Sequence, residues 1–540
     1  MRSGGRILID GLLGLGADTA FCVPGESFLA ALDAIYGHHG RFRLVTCRQE
    51  GGAAYMAEAW GKLTGQPGIC FVSRGPGATN AMVGIHAAYQ DSTPVICFVG
   101  QVPRGFRGRE AFQELDYHRA FDGIAKHVIS IDDARRIPEQ LNHAWQCATG
   151  GRPGPVMVVL YEDMLRDEVD VPDIPLSDLH TQARFAAAPS PAAVDRVVDL
   201  LGKSERPLII CGDSSWNQDT LVLLTRVADR HQIPVAAAFR RQDAFDNTHT
   251  NYIGELGLMV SPVLQEYLPA ADLLLVIGPR LGEMTTQGYE IIPPAIGFTD
   301  QQVVHVHPGA EEMNAVFHAD IAVTSTSLAF LSAMQHVSVQ DAGRRMMIKS
   351  LHERYQRWVD EPVSEGQAVR MDAICSQLRK TLPAEAVITV GAGSYTSWGQ
   401  RFYQYRQSGT QLGSTNGTMG YSVPAAVAAK LLRPEVPVVS FNGDGCFLMN
   451  GQEFATAVKY GLPIVFLVIN NNRLGSIRNH QERHYPGHVV GTDLMNPDFA
   501  RLAEAYGGRG YVVTYTEEFM PAFAAALEDK VPSIIEIRVE

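Results

Sequence analysis

Residues 438–476 read VVSFNGDGCFLMNGQEFATAVKYGLPIVFLVINNNRLGS, and the organisation of the chain follows from them. A run of apolar residues closes at Asn442, and Gly443-Asp444-Gly445 then turns the chain tightly into an amphipathic helix. Pro463 opens a second apolar strand that ends in Asn470-Asn471. In a parallel sheet both strands finish at the same edge, where ligands of open α/β folds bind. Asp444 and Asn471 can converge there although they lie far apart in sequence. A carboxylate and a carboxamide oxygen suit Mg²⁺ when phosphate oxygens, a water and a backbone carbonyl complete an octahedron. Gly445 lets the backbone come close enough for N–H groups of the following helix to face a diphosphate. A GDG triplet alone is an ordinary strand-to-helix turn. The matched helix and the Pro-led strand between it and the Asn pair give it meaning.

The same grammar extends in both directions. PGICFVSRG, TPVICFVGQ and GPVMVVLYE in the first part of the chain read as buried strands entered through turn residues. RPLIICG, IPVAAAF, ADLLLVIG and QQVVHVHP do so in the middle, and AVITVG, VPVVSFNG, LPIVFLVIN and SIIEIRV in the last part. Buried strands spaced between helices imply parallel sheets. The expected fold class is therefore α/β, with three consecutive open parallel-sheet domains over residues 1–170, 185–338 and 365–540. A Pro- and Asp-rich linker over Asp163–Pro191 and an amphipathic helical connector over Gly343–Val363 separate them. STPVICFVG and GLPIVFLVIN share a layout, a faint sign that the outer blocks are duplicates.

Composition agrees. A chain of 540 residues is too long for one core, and two to four domains are expected. With 46% hydrophobic and 19% charged residues it is globular, neither disordered nor fibrous. A net charge of −13 leaves no footprint for nucleic acid or an anionic membrane, although Arg104, Arg107 and Arg109 form a local basic cluster. The eight scattered cysteines, without a CxxC pair, read as reduced thiols. Asp10 and Asp18 interrupt the N-terminal pattern, and no apolar run reaches the ~20 residues of a membrane span, so a cytoplasmic protein is expected. MAEAWGKLT lacks the glycines of a phosphate loop and reads as a helix end. VGAGSYTSW puts Thr396 where a dinucleotide loop needs its third Gly.

The GDG-to-NN stretch resembles the diphosphate-binding signature of thiamine diphosphate (ThDP) enzymes, closest to the acetolactate synthase and benzoylformate or pyruvate decarboxylase group. Three further segments, in the family's order, carry the resemblance. VTCRQEGGAAYMAEAWGKLTGQPGICFVSRGPGATN is similar to the pyrimidine-domain segment, DSTPVICFVGQVPRGFRGREAFQE to the acetolactate synthase loop that lines the site, and STNGTMGYSVPAAVAAKLL to the segment preceding GDG. The resemblance implies a pyrimidine-binding domain, a Rossmann-like middle domain and a diphosphate-binding domain. It also implies a homodimer or homotetramer whose sites form between one subunit's first block and another's last.

The resemblance further assigns residues. Glu50 matches the catalytic glutamate that hydrogen-bonds the cofactor's pyrimidine and favours its imino tautomer. The carbonyl of Gly417 would hold the 4′ nitrogen, and Met419 would wedge beneath the bent cofactor. Gly443, Asp444, Gly445, Cys446 and Asn471 would hold the diphosphate and metal, with the backbone carbonyl of Arg473 completing the Mg²⁺ ligands. Gln113, in the AFQE segment, joins Glu50 and Glu26 as catalytic candidates. Phe112, Arg280, Ile477 and His480 would line the substrate.

Departures bear on substrate. Glu26 follows Pro24-Gly25 where acetolactate synthases carry a second Gly; it is either a proton shuttle or a helix-start glutamate. His480 stands where the biosynthetic enzymes have a Trp. VIGPRLGEMTTQG keeps Arg280 but not the neighbouring Asp residues, and RPLIICGDSSW lacks the Gly-rich turn of FAD-binding members, which argues against FAD. The sequence ends straight after its last expected strand, so an open site, or one closed by other loops, is expected. The implied activity is ThDP/Mg²⁺-dependent carboligation of a 2-oxo acid with a carbonyl acceptor. A 2-oxo acid decarboxylase or 2-hydroxyacyl lyase, and a catalytically silent ThDP-binding protein, stand as alternatives.

Overall fold

The structure, a computed structural model, describes residues 1–172, 187–292, 301–337 and 343–539. Much of the expected linker lies outside the described residues. Three parallel six-stranded sheets follow one another along the chain. The first contains β1 (Thr19–Cys22), β2 (Arg43–Thr46), β3 (Gly68–Val72), β4 (Val95–Gln101), β5 (His127–Ile131) and β6 (Pro155–Tyr161). The second contains β7 (Pro207–Cys211), β8 (Val235–Ala237), β9 (Tyr252–Glu255), β10 (Leu273–Ile277), β11 (Gln302–His307) and β12 (Ile321–Thr324). The third contains β13 (Val387–Val390), β14 (Gln411–Gly413), β15 (Val438–Gly443), β16 (Val465–Asn470), β17 (Arg509–Val513) and β18 (Ser533–Arg538).

The first sheet is ordered β2-β1-β3-β4-β6-β5 and the third β14-β13-β15-β16-β18-β17, the same topology twice. The second runs β9-β8-β7-β10-β11-β12, the doubly wound order of dinucleotide-binding folds. Each central strand is buried throughout, as its mostly apolar sequence favours. β15 and β16 pair from Val439↔Val465 to Gly443↔Ile469, so the GDG turn and the Asn run leave the sheet side by side.

The helix after the GDG turn is shorter than its pattern suggests. It spans Asp444–Asn450, tightens through Gly451–Glu453 and resumes over Phe454–Lys459. Gly451 packs against the Phe447 ring, 2.7 Å from where a Cβ would stand, so the chain bends around that ring. The connector forms a helix over Arg345–Asp360, and the MAEAWGKLT segment ends the helix α1 (Glu50–Thr64) at a left-handed Gly65.

The outer sheets share one core. Residues of α1, of α2 (Gly75–Asp91) and of the first sheet pack with those of α3 (Ser422–Leu432) and the third sheet in a single apolar cluster. Small residues make close approach possible: a Cβ on Gly84 would collide with Ala54 between α1 and α2, and one on Gly52 would collide with Glu453 of the third domain. Tyr55 and Tyr421 meet edge to face across the junction, ring centroids 5.5 Å apart, and both are fully buried. Burial of such a side chain contributes roughly 2–3 kcal/mol.

Candidate active site

At the carboxyl edge of the third sheet the Asp444 carboxylate is buried. Its Oδ1 accepts the Gly445 N–H (2.8 Å) and its Oδ2 accepts the amide of Asn496 (2.8 Å). That amide nitrogen also reaches Asn470 Oδ1 (2.9 Å) and Asn472 Oδ1 (3.2 Å), so Asn496 ties the two strand ends together. Asn470 is itself fixed by its bond to buried Glu536 (2.7 Å). Asn471 Oδ1 accepts the Arg473 N–H at 3.2 Å, which curls the chain after β16. A set of one carboxylate, one carboxamide and one peptide carbonyl consists of hard oxygens and suits Mg²⁺ with phosphate ligands. A Cβ on Gly445 would stand 2.9 Å from Leu474 and 3.7 Å from Met419, which is why glycine occupies the centre of this cradle.

The segment Ser414–Tyr421 runs over that cradle. Gly417 (φ +68) and Gly420 (φ +82) need the left-handed region, and Asn416 Oδ1 accepts both the Ser414 hydroxyl (2.7 Å) and the Thr418 N–H (3.1 Å). The Gly420 N–H points to Cys446 Sγ (3.2 Å), and the Gly420 carbonyl accepts the Asn450 amide (3.2 Å). Met419, half-buried, lies above Gly445. Cys446 is a buried small side chain that seats the loop.

The first sheet presents a second group at its own carboxyl edge. Glu26 follows β1, Glu50 follows β2, Ser73 follows β3 and Gln113 lies on the loop after β4. Glu50 opens α1 and accepts the Asn80 amide at 3.0 Å, with its other oxygen beside Gly77. Glu26 is exposed at the start of a short turn of helix, where Ser27 and Ser73 hydroxyls meet at 3.1 Å. Gln113 adopts φ +64 and its carbonyl accepts the Gly75 N–H (3.0 Å). The exposed carboxylate of Glu114 takes the N–H groups of Gly108 (2.7 Å) and Ala111 (3.1 Å), which hold its pKa low and the loop in shape.

Within one chain these two groups point to different neighbours. Glu50 contacts Asn80 and Gly77, whereas the third domain meets the base of α1 through Glu453, which accepts the N–H groups of Arg48 (2.9 Å) and Gln49 (3.0 Å). Burial pushes the pKa of Glu453 up.

A cavity of about 940 Å³ opens where the three sheets meet, lined in part by Arg241, Arg280, Gly417, Ser476 and His480. Arg280 and His480 thus face one space. Arg280 is already engaged there: its Nε donates to Glu312 (2.9 Å) and its terminal nitrogen to the Gln90 carbonyl (3.2 Å). Phe112 and Ile477 are largely exposed. Asn496, Glu453 and the buried charges near α1 escaped the sequence reading. The one local signal was Glu58 and Lys62, four residues apart in an otherwise apolar helix.

The chain matches the family "Thiamine pyrophosphate enzyme, N-terminal TPP binding domain" over residues 2–120, the corresponding central domain over 194–334 and the C-terminal TPP binding domain over 391–537. It is 31% identical to the acetolactate synthase large subunit of Parasynechococcus marenigrum, over 99% of this chain and 87% of that protein. Identity to the acetolactate synthase large subunit of Corynebacterium glutamicum is 30%, over 97% of this chain and 85% of the relative. With acetolactate synthase isozyme 2 large subunit of Escherichia coli it is 28%, over 100% and 96%. Among the described residues no helix is long and apolar enough to cross a membrane.

Proposed function

The chain belongs to the thiamine pyrophosphate enzyme family as an acetolactate synthase-like, ThDP-dependent carboligase acting on 2-oxo acids, and we propose that the two sheet edges described above carry its chemistry. The observation that supports this most is the Asn496 amide, which bonds Asp444 and also Asn470 and Asn472 on either side of Asn471, with Met419 packed over Gly445. In this reading Asp444, Asn471 and the Arg473 carbonyl bind Mg²⁺, and the Gly445 and Cys446 backbone meets the diphosphate. The Gly417 carbonyl and the Met419 side chain hold the pyrimidine end. Bound ThDP supplies the electron sink for decarboxylation and for joining the acyl unit to a second carbonyl.

Glu50 would hold or release a proton at its carboxylate toward the pyrimidine ring of bound ThDP, a role for which its position at the head of α1 and its restraint through one oxygen by Asn80 suit it. It serves the cofactor of a second subunit, so the working unit is a homodimer or a multiple of it. Exposed Leu448 and Met449 beside the GDG turn, and Leu29 and Val83 on the first domain, offer apolar surface for that assembly. Gln113 and Phe112 approach the substrate from their exposed loop and Ile477 from the exposed helix Gly475–His484, and Arg280 and His480 polarise the acceptor's surroundings. FAD has no part in this reading, because the turn after β7 carries the Asp213 carboxylate, bonded to Ser327 (2.5 Å), in place of the Gly-rich N–H cradle that a dinucleotide diphosphate uses.

The test is incubation with ThDP, Mg²⁺ and a panel of 2-oxo acids, singly and paired with carbonyl acceptors, with products identified by mass spectrometry. Ligation products formed with loss of CO₂ are expected. Aldehyde alone from every donor would replace the carboligase with the decarboxylase reading.

A further inference from the structure

The chemistry above makes no use of a set of charges sealed between the first and third sheets. Glu58 and Lys62 lie one turn apart on α1 and Asp91 ends α2, their side chains no more than 2% exposed. Lys62 Nζ pairs with Asp91 Oδ2 and with Glu58 Oε1 (2.8 Å), donates to the Gly413 carbonyl (2.9 Å) and stands 5.1 Å above the Tyr421 ring. Asp91 Oδ1 accepts the N–H of Thr415 (2.7 Å) and its hydroxyl. Glu58 accepts the hydroxyls of Tyr421 (2.5 Å) and Thr93 (2.9 Å). One turn earlier, the hydroxyls of Tyr55 and Thr418 meet at 2.5 Å.

The first domain thus grips the loop at Gly413, Thr415, Thr418 and Tyr421, on both sides of Gly417 and Met419. The grip reaches further. The carbonyls of Tyr89 and Gln90 accept Arg152 (2.7 Å) and Arg280 (3.2 Å), both paired with Glu312, and the Ser92 carbonyl accepts Ser214. The end of α2 is therefore pinned by the middle domain on one side while it holds the loop on the other.

Buried ion pairs are poor sources of stability, since well-packed apolar side chains often serve as well or better; what they supply is a fixed choice of partners. Burial pushes the pKa of Glu58 up, countered by Lys62. Asp91 feels the same burial but is held low by Lys62 and Arg241. We propose that Lys62, set between Glu58 and Asp91, is a positioning residue that fixes the height of the Ser414–Gly420 loop and so where the Gly417 carbonyl and Met419 side chain stand at the cofactor. The inference rests on the assignment of that loop to ThDP.

The test uses full-length protein. Hydrogen exchange is followed over residues 413–421 with and without ThDP and Mg²⁺, beside ThDP titration by Trp fluorescence and steady-state kinetics. Lys62→Met is expected to raise exchange in 413–421 by about tenfold or more while the second sheet stays protected, to weaken ThDP by about tenfold, and to lower kcat while leaving the 2-oxo acid KM within about threefold. Lys62→Arg, which keeps the charge, should restore most of each. Thr415→Val, which removes one hydroxyl bond, gives a milder version should Lys62→Met fold poorly. Variants whose loop exchange and ThDP affinity match wild type overturn the inference. Wild-type protein whose 413–421 exchange is not slowed by ThDP and Mg²⁺ overturns the loop assignment and the inference together.

Discussion

Glu50→Gln separates proton transfer from everything else that Glu50 does. The carboxylate oxygen that accepts the Asn80 amide (3.0 Å) is replaced by an amide oxygen that can accept the same bond, and the side chain keeps its length and its place at the head of α1. The α1 core, with buried Ala53, Ala54, Tyr55 and Met56 behind it, is untouched. Folding and ThDP affinity should therefore stay close to wild type. What disappears, on the proposed assignment, is the ionisable group that faces the cofactor's pyrimidine. General acid–base assistance contributes about 10²–10⁴ in rate, or roughly 2.7–5.5 kcal/mol of barrier. The assay is kcat for CO₂ release from the best 2-oxo acid donor, with ThDP affinity from fluorescence titration and thermal unfolding as the check on structure. The expected result is a kcat lower by at least about a hundredfold with ThDP affinity within about threefold. A kcat within a few-fold of wild type refutes the assignment. A large loss of ThDP affinity at unchanged kcat shows that Glu50 binds cofactor without moving its proton.

Asp444→Ala should weaken Mg²⁺ in the presence of ThDP and make activity depend on excess metal, and Asn496→Ala, which frees Asp444 Oδ2, should cost about 10–100-fold in metal affinity; titrations identical to wild type would place the metal elsewhere. Glu26→Gln should change the pH profile of turnover and the ratio of aldehyde to ligation product if Glu26 shuttles protons, and neither if it merely opens its helical turn. Burial raises the Glu255 pKa to about 8 despite the Arg240 N–H at 2.6 Å. The folded protein therefore holds one proton more than the unfolded chain from the ordinary carboxylate pKa up to about 8, so stability is fully present below that window and falls by up to about 1.4 kcal/mol per pH unit across it. Glu255→Gln should flatten this decline in unfolding temperature between pH 5.5 and 8; an unchanged slope would contradict a protonated Glu255.

The strands that the sequence revealed are those whose two faces are both buried. β3, β4, β6, β7, β10, β15 and β16 are fully buried and mostly apolar, broken inside only by Ser440 and Asn442 of β15, and such runs belong at the centre of a parallel sheet. The strands that escaped are short or lie toward the edges. Arg509–Val513 and Arg43–Thr46 carry half-exposed patterns that resemble those of loops. The cofactor signature was legible for a similar reason, because strand, turn, helix and strand are consecutive and each constrains its own residues.

The sequence by itself therefore determined the α/β class and the order of the cofactor segments, and it singled out Glu50, Asp444 and Asn471 as candidates. The tertiary structure alone decided which polar groups stand between them. Asn496 reaches Asp444, Glu453 caps the residues before Glu50, and Asp91 joins Lys62 to Thr415, each across tens to hundreds of residues. No local preference encodes such pairs. They arise where folding closes off water, because a buried charge or amide must then find its partners among whatever groups the packing brings near.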